Sequence, residues 1–194
     1  MPARPAGKAL LATQRLALRE FHAGDAENLY RLNRDPRVMR YIGDGSVGTR
    51  ASVTAAISRA RKHYRDYPGL GVWPAEERAS GAFIGWFCLK YIPATVEVEV
   101  GYRLLPRMWG RGFATEGARA LVRYGFDVLG LYRVVGLTHP ENLASQRVLC
   151  KAGLRDAGWG HYYDRDLRLF MADARVPTDP SPMYRITRGS RFRR

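Results

Sequence analysis

"WGRGFATEGARALVRYGF", Trp109 to Phe126, decides how the rest of the chain is read. It reads as an amphipathic helix with two glycines, Gly110 and Gly112, directly at its mouth. A glycine inside a helix costs about 1 kcal/mol relative to alanine, so a pair at a helix mouth implies that the backbone itself has something to contact.

The residues around this stretch suggest what that contact is. Val96–Leu105 reads as a strand, Pro106–Gly112 as a loop and 112–129 as the helix. This order brings free backbone N–H groups and the positive end of a helix dipole to one point, which is an anion site. Arg107 and Arg111 add charge-assisted contacts, and glycines let an oxyanion approach the main chain with no Cβ in the way. The loop lacks the Gly-Lys-Ser/Thr ending of a nucleotide P-loop, and Thr115 stands where a dinucleotide loop would have its third glycine. The guest that fits is a pyrophosphate held without a metal. On these residues alone the loop reads equally as a tight turn that lets the helix pack on a sheet.

Further out the periodicity predicts an α+β chain. TQRLALRE, 13–20, alternates like an edge strand. Asp25 is placed to cap a helix that Asp35-Pro36 stops, and a second helix spans about 50–67. Residues 71–74, 81–91 and 96–105 read as antiparallel strands. After the glycine-led helix come a strand over Arg133–Thr138, a helix over Asn142–Ala152 capped by Asn142 and stopped by Gly153, and a last strand at 161–171. The class is a mixed, mostly antiparallel sheet with helices on both faces.

Composition narrows the field. The 194 residues carry a net charge of +14, of which residues 1–19 hold four and residues 175–194 hold five. The tails contain no aromatic-interleaved nucleic-acid motif, so the excess reads as a soluble basic surface rather than an RNA site. Cys88 and Cys150 make neither a disulfide framework nor a metal-ligand spacing. The first reads as strand core and the second as a small apolar packing residue. No metal is expected. The absence of an eighteen-residue apolar run and of a secretory leader predicts a cytoplasmic protein with no membrane contact.

Trp109-Gly110-Arg111-Gly112-Phe113-Ala114-Thr115-Glu116 resembles the acetyl-CoA pyrophosphate loop of the GNAT N-acetyltransferases, in the branch of the RimJ and RimL ribosomal-protein acetyltransferases. Trp109 stands at the position where the wider superfamily has Gln or Arg. The likeness extends to Gln14–Arg19, to Val96–Leu104, and to Pro140–Ser145 with Lys151–Leu154, in the same order. It implies a GNAT fold, with an N-terminal extension at 1–12, an N-acetyltransferase domain at 13–175 and a basic tail at 176–194. It also implies acetyl-CoA as donor, bound by Leu104, Arg107, Met108, Trp109, Gly110, Arg111, Gly112, Phe113, Ala114, Thr115, Asn142 and Ser145.

Acetyl transfer to an amine needs a base for the amine, a donor for the oxyanion and a hydrogen bond for the departing thiolate. The resemblance places Glu99 as the base. Strand period sets Glu97 about 7 Å away on the same face, which makes it the second candidate. Asp164 and Asp166 are fallbacks, and a solvated charge pair is the alternative role for Glu99. Many GNAT enzymes carry a thiolate-protonating tyrosine at the position that is Leu149 here, and the resemblance gives that role to Ser145. The acceptor is a primary amine, either a small molecule or a peptide or ribosomal-protein N-terminus. By the same likeness, 41–50 and 159–164 line its pocket. The aromatics Tyr41, Trp159, Tyr162 and Tyr163 suit that pocket and equally a homodimer surface. The competing readings are a catalytically silent acyl-CoA-binding domain and an RNA- or ribosome-associated basic protein.

Overall fold

In the computed structural model, which describes residues 8–174, eight strands form one mixed sheet. They are β1 (Ala9–Ala12), β2 (Leu16–Arg19), β3 (Gly71–Glu77), β4 (Phe83–Tyr91), β5 (Val98–Leu104), β6 (Arg133–Thr138), β7 (Arg155–Tyr162) and β8 (Arg165–Asp173). Their order across the sheet is β1-β2-β3-β4-β5-β6-β8-β7. The helices are α1 (Ala26–Asn33), α2 (Pro36–Met39), α3 (Arg50–Asp66), α4 (Phe113–Asp127) and α5 (Leu143–Ala152). Every strand pair is antiparallel except β5 with β6, which α4 connects as a crossover.

The helix that follows the glycine loop presses on the centre of the sheet. A Cβ on Gly117 would lie 2.3 Å from the Phe87 ring, so only glycine lets the α4 backbone come this close to β4. Ala118, Leu121 and Val122 fill the same contact, each at most 4% exposed. Asn33 at the end of α1 reaches Arg103, whereas Ser145 of α5 reaches Tyr102. Neighbouring residues of one strand point to opposite faces, so α1–α2 and α4–α5 cover the two sides of the sheet.

Several expectations are corrected. Residues 9–12, read as part of an extension, form β1 and pair with β2, so Leu16–Arg19 is not the edge of the sheet. Asp25 stands at the N-cap position of α1 as expected, but its side chain makes no capping hydrogen bond to the helix. Its carboxylate is fully buried and grips the Arg19 guanidinium at 2.8 Å, and Arg19 also holds Glu76 at 2.7 Å. α1 ends at Asn33, just before Asp35-Pro36 as expected, and Pro36 also opens the short α2 at a position where its missing N–H is not needed. β3 continues through Pro74 to Glu77. The single last strand is a hairpin, β7 and β8, turned by Tyr163 and Asp164 at φ 55° and 57°. Cys150 is exposed, while Cys88 lies in the core as expected. The 176–194 tail lies outside the described residues. Among the described residues no helix is long and apolar enough to cross a membrane, and no group of three or more His, Cys, Asp or Glu could hold a metal ion.

Candidate active site

β5 pairs with β4 along its full length but meets β6 at one register pair, Glu99 with Val135. Beyond that pair the two central strands part. Leu105 donates its N–H to Ile84 of β4, and the alternation of an antiparallel ladder then turns the main-chain groups of Tyr102 and Leu104 toward the gap. The Leu104 carbonyl there accepts the Trp109 indole N–H at 2.9 Å, which ties the glycine loop to the end of β5.

The loop opens at the mouth of this gap. Gly110 and Gly112 take φ values of 72° and 83°, a left-handed conformation that costs other residues about 1–2 kcal/mol. A Cβ on Gly110 would meet nothing within 4 Å. The N–H groups of residues 110 to 115, Gly110 to Thr115, donate to no acceptor among the described residues. Two cations flank them. The Arg15 guanidinium lies 4.5 Å from the Phe113 ring centre and that of Arg111 lies 5.0 Å from it, while Phe113 itself is buried. Arg15 is held by Glu116 in the first turn of α4 at 2.6 Å and donates to the Arg111 carbonyl at 2.9 Å. Burial alone would raise the Glu116 carboxyl, but the Thr13 hydroxyl and the Arg15 amide and guanidinium hold it below the usual range. Met108 is buried beneath the loop with its sulfur 3.1 Å from an Arg111 nitrogen. Arg107 is exposed and donates to the Phe83 carbonyl at 3.3 Å, away from the free amides. The cradle is therefore built from Arg15 and Arg111 with the amides of 110–115, and Ala114 and Thr115 contribute through their main chain.

On the α4–α5 side of the gap, Asn142 accepts the Ser145 N–H at 3.1 Å and so caps α5. The Ser145 hydroxyl then accepts from the Tyr102 hydroxyl at 3.2 Å. Burial pushes Tyr102 up to about 12, so it is a neutral donor throughout the ordinary pH range. Leu149, at the position of the missing tyrosine, is 2% exposed and packs against Gly136. Thr138, at the end of β6, is buried with its hydroxyl oxygen unpaired.

The other side carries charge. Glu99 is bound to the Lys90 ammonium at 2.6 Å, and Lys90 also meets the Tyr163 hydroxyl at 2.8 Å. Burial works against the charged lysine, yet the Cys88 sulfur, Glu99 and Tyr163 hold its pKa above the usual value. Burial and the Glu99 charge push Tyr163 up to about 12. Glu97 accepts a hydrogen bond from Tyr162, so the two carboxylates have separate partners. Asp166 pairs with exposed His161, and Asp164 sits in the exposed β7–β8 turn. Trp159 is 59% exposed under Arg168, whereas Tyr41 stacks on His139 at the end of β6, 5.2 Å between ring centres.

The acetyltransferase (GNAT) domain model matches residues 15–155, a span that takes in the parted strands, the glycine loop and α5. The chain belongs to the GNAT family. Like other GNAT chains it is an acyltransferase. It is 35% identical over 152 residues to the FsC-acetyl coenzyme A-N(2)-transacetylase of Aspergillus fumigatus, over 74% of this chain and 64% of that one. To the N-acetyltransferase YnaD of Bacillus subtilis it is 30% identical, over 77% and 84% of the two chains. RimJ of Mycobacterium smegmatis, solved in complex with a CoA disulfide, shares the GNAT fold at a TM-score of 0.70 and 21% identity, over 82% of each chain.

Sequence reasoning missed Arg15, Lys90, Tyr102 and Thr138 in this GNAT site. Arg15 and Tyr102 lie inside the quoted Gln14–Arg19 and Val96–Leu104 segments, so a signal existed. Lys90 becomes visible only once its register against Glu99 is known.

Proposed function

We propose that the chain is an acetyl-CoA-dependent N-acetyltransferase in which a neutral primary amine attacks the thioester directly. The observation that carries this reading is the run of unpaired N–H groups at 110–115, aligned with the α4 dipole and flanked by Arg15 and Arg111. Gly110, Arg111 and Gly112 are exposed, so the amides are open to an incoming ligand, and an oxyanion such as a pyrophosphate fits a helix N-terminus where the glycines leave room for it. Acetyl-CoA brings the activated acyl group; in the net reaction it passes from sulfur to nitrogen, the amine losing a proton and the sulfur gaining one.

The chain's residues divide around the gap. Glu99 takes the amine proton, directly or through a water, while Lys90 and Tyr163 fix the carboxylate in place. Ser145 donates to the departing sulfur. Because the Ser145 oxygen already accepts from Tyr102, its own hydrogen is free to point into the gap. Thr138 and the main-chain groups of Tyr102 and Leu104 supply further polar contacts along the gap. The acceptor enters from the α1–α2 side, under Tyr41 and His139. It is a small-molecule amine or a peptide terminus.

The test is calorimetry with acetyl-CoA followed by a thiol-release assay over amines and N-terminal peptides. Saturable donor binding with acetylated product supports the reading. Saturable binding with no turnover on any amine would leave a silent acyl-CoA-binding domain in its place.

A further inference from the structure

Arg103 is a half-buried cation with no acid paired to it among the described residues. It follows Glu99 and Gly101 on the α1–α2 face of β5, opposite Trp86 of β4. Its guanidinium lies 5.1 Å from the Trp86 ring centre, and one terminal nitrogen donates to Asn33 Oδ1 at 2.6 Å and approaches the Met39 sulfur at 3.4 Å. Nε is sealed from solvent with no partner. No carboxylate among the described residues forms an ion pair with it. Burial draws its pKa down to about 10, against an opposing pull from the Cys88 sulfur. Arg19, buried in the same molecule, shows the contrast, because two carboxylates hold it and keep its pKa above the usual value.

A guanidinium partly withdrawn from water without an acid is costly, and its planar fork matches a carboxylate in two parallel hydrogen bonds. The residue is half-buried rather than closed off, so a ligand can reach it. The carboxylate it lacks is not the donor's phosphate, since the cradle at 110–115 has its own cations in Arg15 and Arg111. On the acceptor side, Glu99 is already neutralised by Lys90, which leaves Arg103 as uncompensated positive charge along the same strand face. Its Cα lies about 13 Å from that of Glu99, four strand residues away, and both side chains rise from one face. A polycationic acceptor would meet repulsion here. An amine that also carries a carboxylate would meet a base at one end and a fork at the other.

We infer that Arg103 binds the carboxylate of the acceptor, so that the preferred substrates are primary amines bearing a carboxylate, of the amino-acid or amino-acid-derivative class. This rests on the acetyltransferase reading above.

The test compares α-amino acids and ω-amino acids of increasing length with their uncharged amides as acceptors, at saturating acetyl-CoA. For at least one length the wild-type chain should favour the acid over its amide by about ten- to hundredfold in kcat/KM, the range expected for a charge-assisted pair. R103M should collapse that ratio toward one, and R103K should retain part of it, since a point charge lacks the fork. A wild-type ratio at or below one for every pair overturns the inference, as does a preference that survives R103M. Loss of acetyl-CoA affinity in R103M matching the lost preference also overturns it, since Arg103 would then serve the donor. If R103M does not fold, the wild-type ratios and R103K decide. Transfer to acids and amides alike sinks this inference alone, whereas donor binding with no transfer to any amine sinks the acetyltransferase reading beneath it.

Discussion

The Tyr102 hydroxyl donates to the Ser145 hydroxyl across the gap between β5 and α5, 3.2 Å apart. The order of donation matters. Tyr102 is buried and neutral, its pKa pushed up to about 12, so it fixes the serine oxygen as acceptor and leaves the serine hydrogen for a ligand. Ser145→Ala should lower kcat by about ten- to hundredfold with little change in acetyl-CoA affinity. Tyr102→Phe removes one neutral hydrogen bond and should cost about fivefold. The double variant should be no slower than Ser145→Ala, because tyrosine acts only through serine. Additive losses would place Tyr102 on the substrate itself.

Glu99 and Lys90 face each other at a hydrogen-bonded β4–β5 register, so chemistry and stability are entangled at this pair. Glu99→Gln should reduce kcat by about a hundredfold or more. It should also lower the melting temperature, because Lys90 is left as a largely buried ammonium with one neutral partner. Adding Lys90→Met to Glu99→Gln should restore the melting temperature and leave the rate depressed, since removing both ions relieves the unpaired charge and supplies no base. Thermal melts and thiol-release rates on the same preparations check this. A Glu99→Gln chain with normal turnover moves the base to a water chain or to another carboxylate.

What the sequence made legible, and what it did not, follows from how local each signal is. Gly112 before Phe113 and Asn142 with Gly153 mark helix ends within one turn of chain, and the structure has α4 and α5 beginning and ending there. β1 and β7 escaped because their sequences, ALLA and RDAGWGHY, have few β-branched residues and owe their extended form to the neighbour they pair with. Asp25 has the spelling of a helix cap and stands in that position, but its oxygens go to the Arg19 guanidinium and the His22 amide instead of the helix amides, a pairing that exists only once β2 is folded beside it. The site divides in the same way. The glycine cradle is contiguous in sequence, whereas the Lys90–Glu99–Tyr163 cluster joins two strands and a hairpin turn and exists only through register.

Glu116 presents a sign that can be tested. An acid beside an anion cradle should weaken phosphate binding by repulsion, and its removal should then strengthen it. Here the carboxylate spends its acceptors on Thr13 and Arg15, and Arg15 in turn holds the Arg111 carbonyl. Glu116→Ala should therefore weaken acetyl-CoA by about fivefold through loss of Arg15 positioning. Gly112→Ala should weaken it more, by about tenfold, because its φ of 83° is strained for alanine and the new Cβ would lie 3.3 Å from the Arg15 guanidinium. Titration calorimetry at two ionic strengths measures both. Tighter binding by Glu116→Ala would show that its charge, not its placement of Arg15, is what acetyl-CoA feels.

Asp25 gives the fold its dependence on acid. Burial would raise this carboxyl, but the Arg19 guanidinium, with the His22 amide, holds it below the usual carboxylate range. A carboxyl depressed in the folded state adds stability that is complete above its unfolded pKa of about 4 and is lost as the pH falls through the lower folded value. Asp25→Asn breaks a buried pair and should cost about 3–5 kcal/mol near neutral pH, leaving Arg19 with Glu76 alone. As the pH falls below about 4 and on through the lower folded value, the wild-type chain loses this charge-dependent contribution, whereas the variant has nothing there to titrate. Urea unfolding of the two chains from pH 7 downward should therefore show a stability gap that is constant above pH 5 or so and narrows below it. A gap independent of pH would mean that Asp25 stabilises the β2–β3 pair by shape and hydrogen bonding, not by its charge.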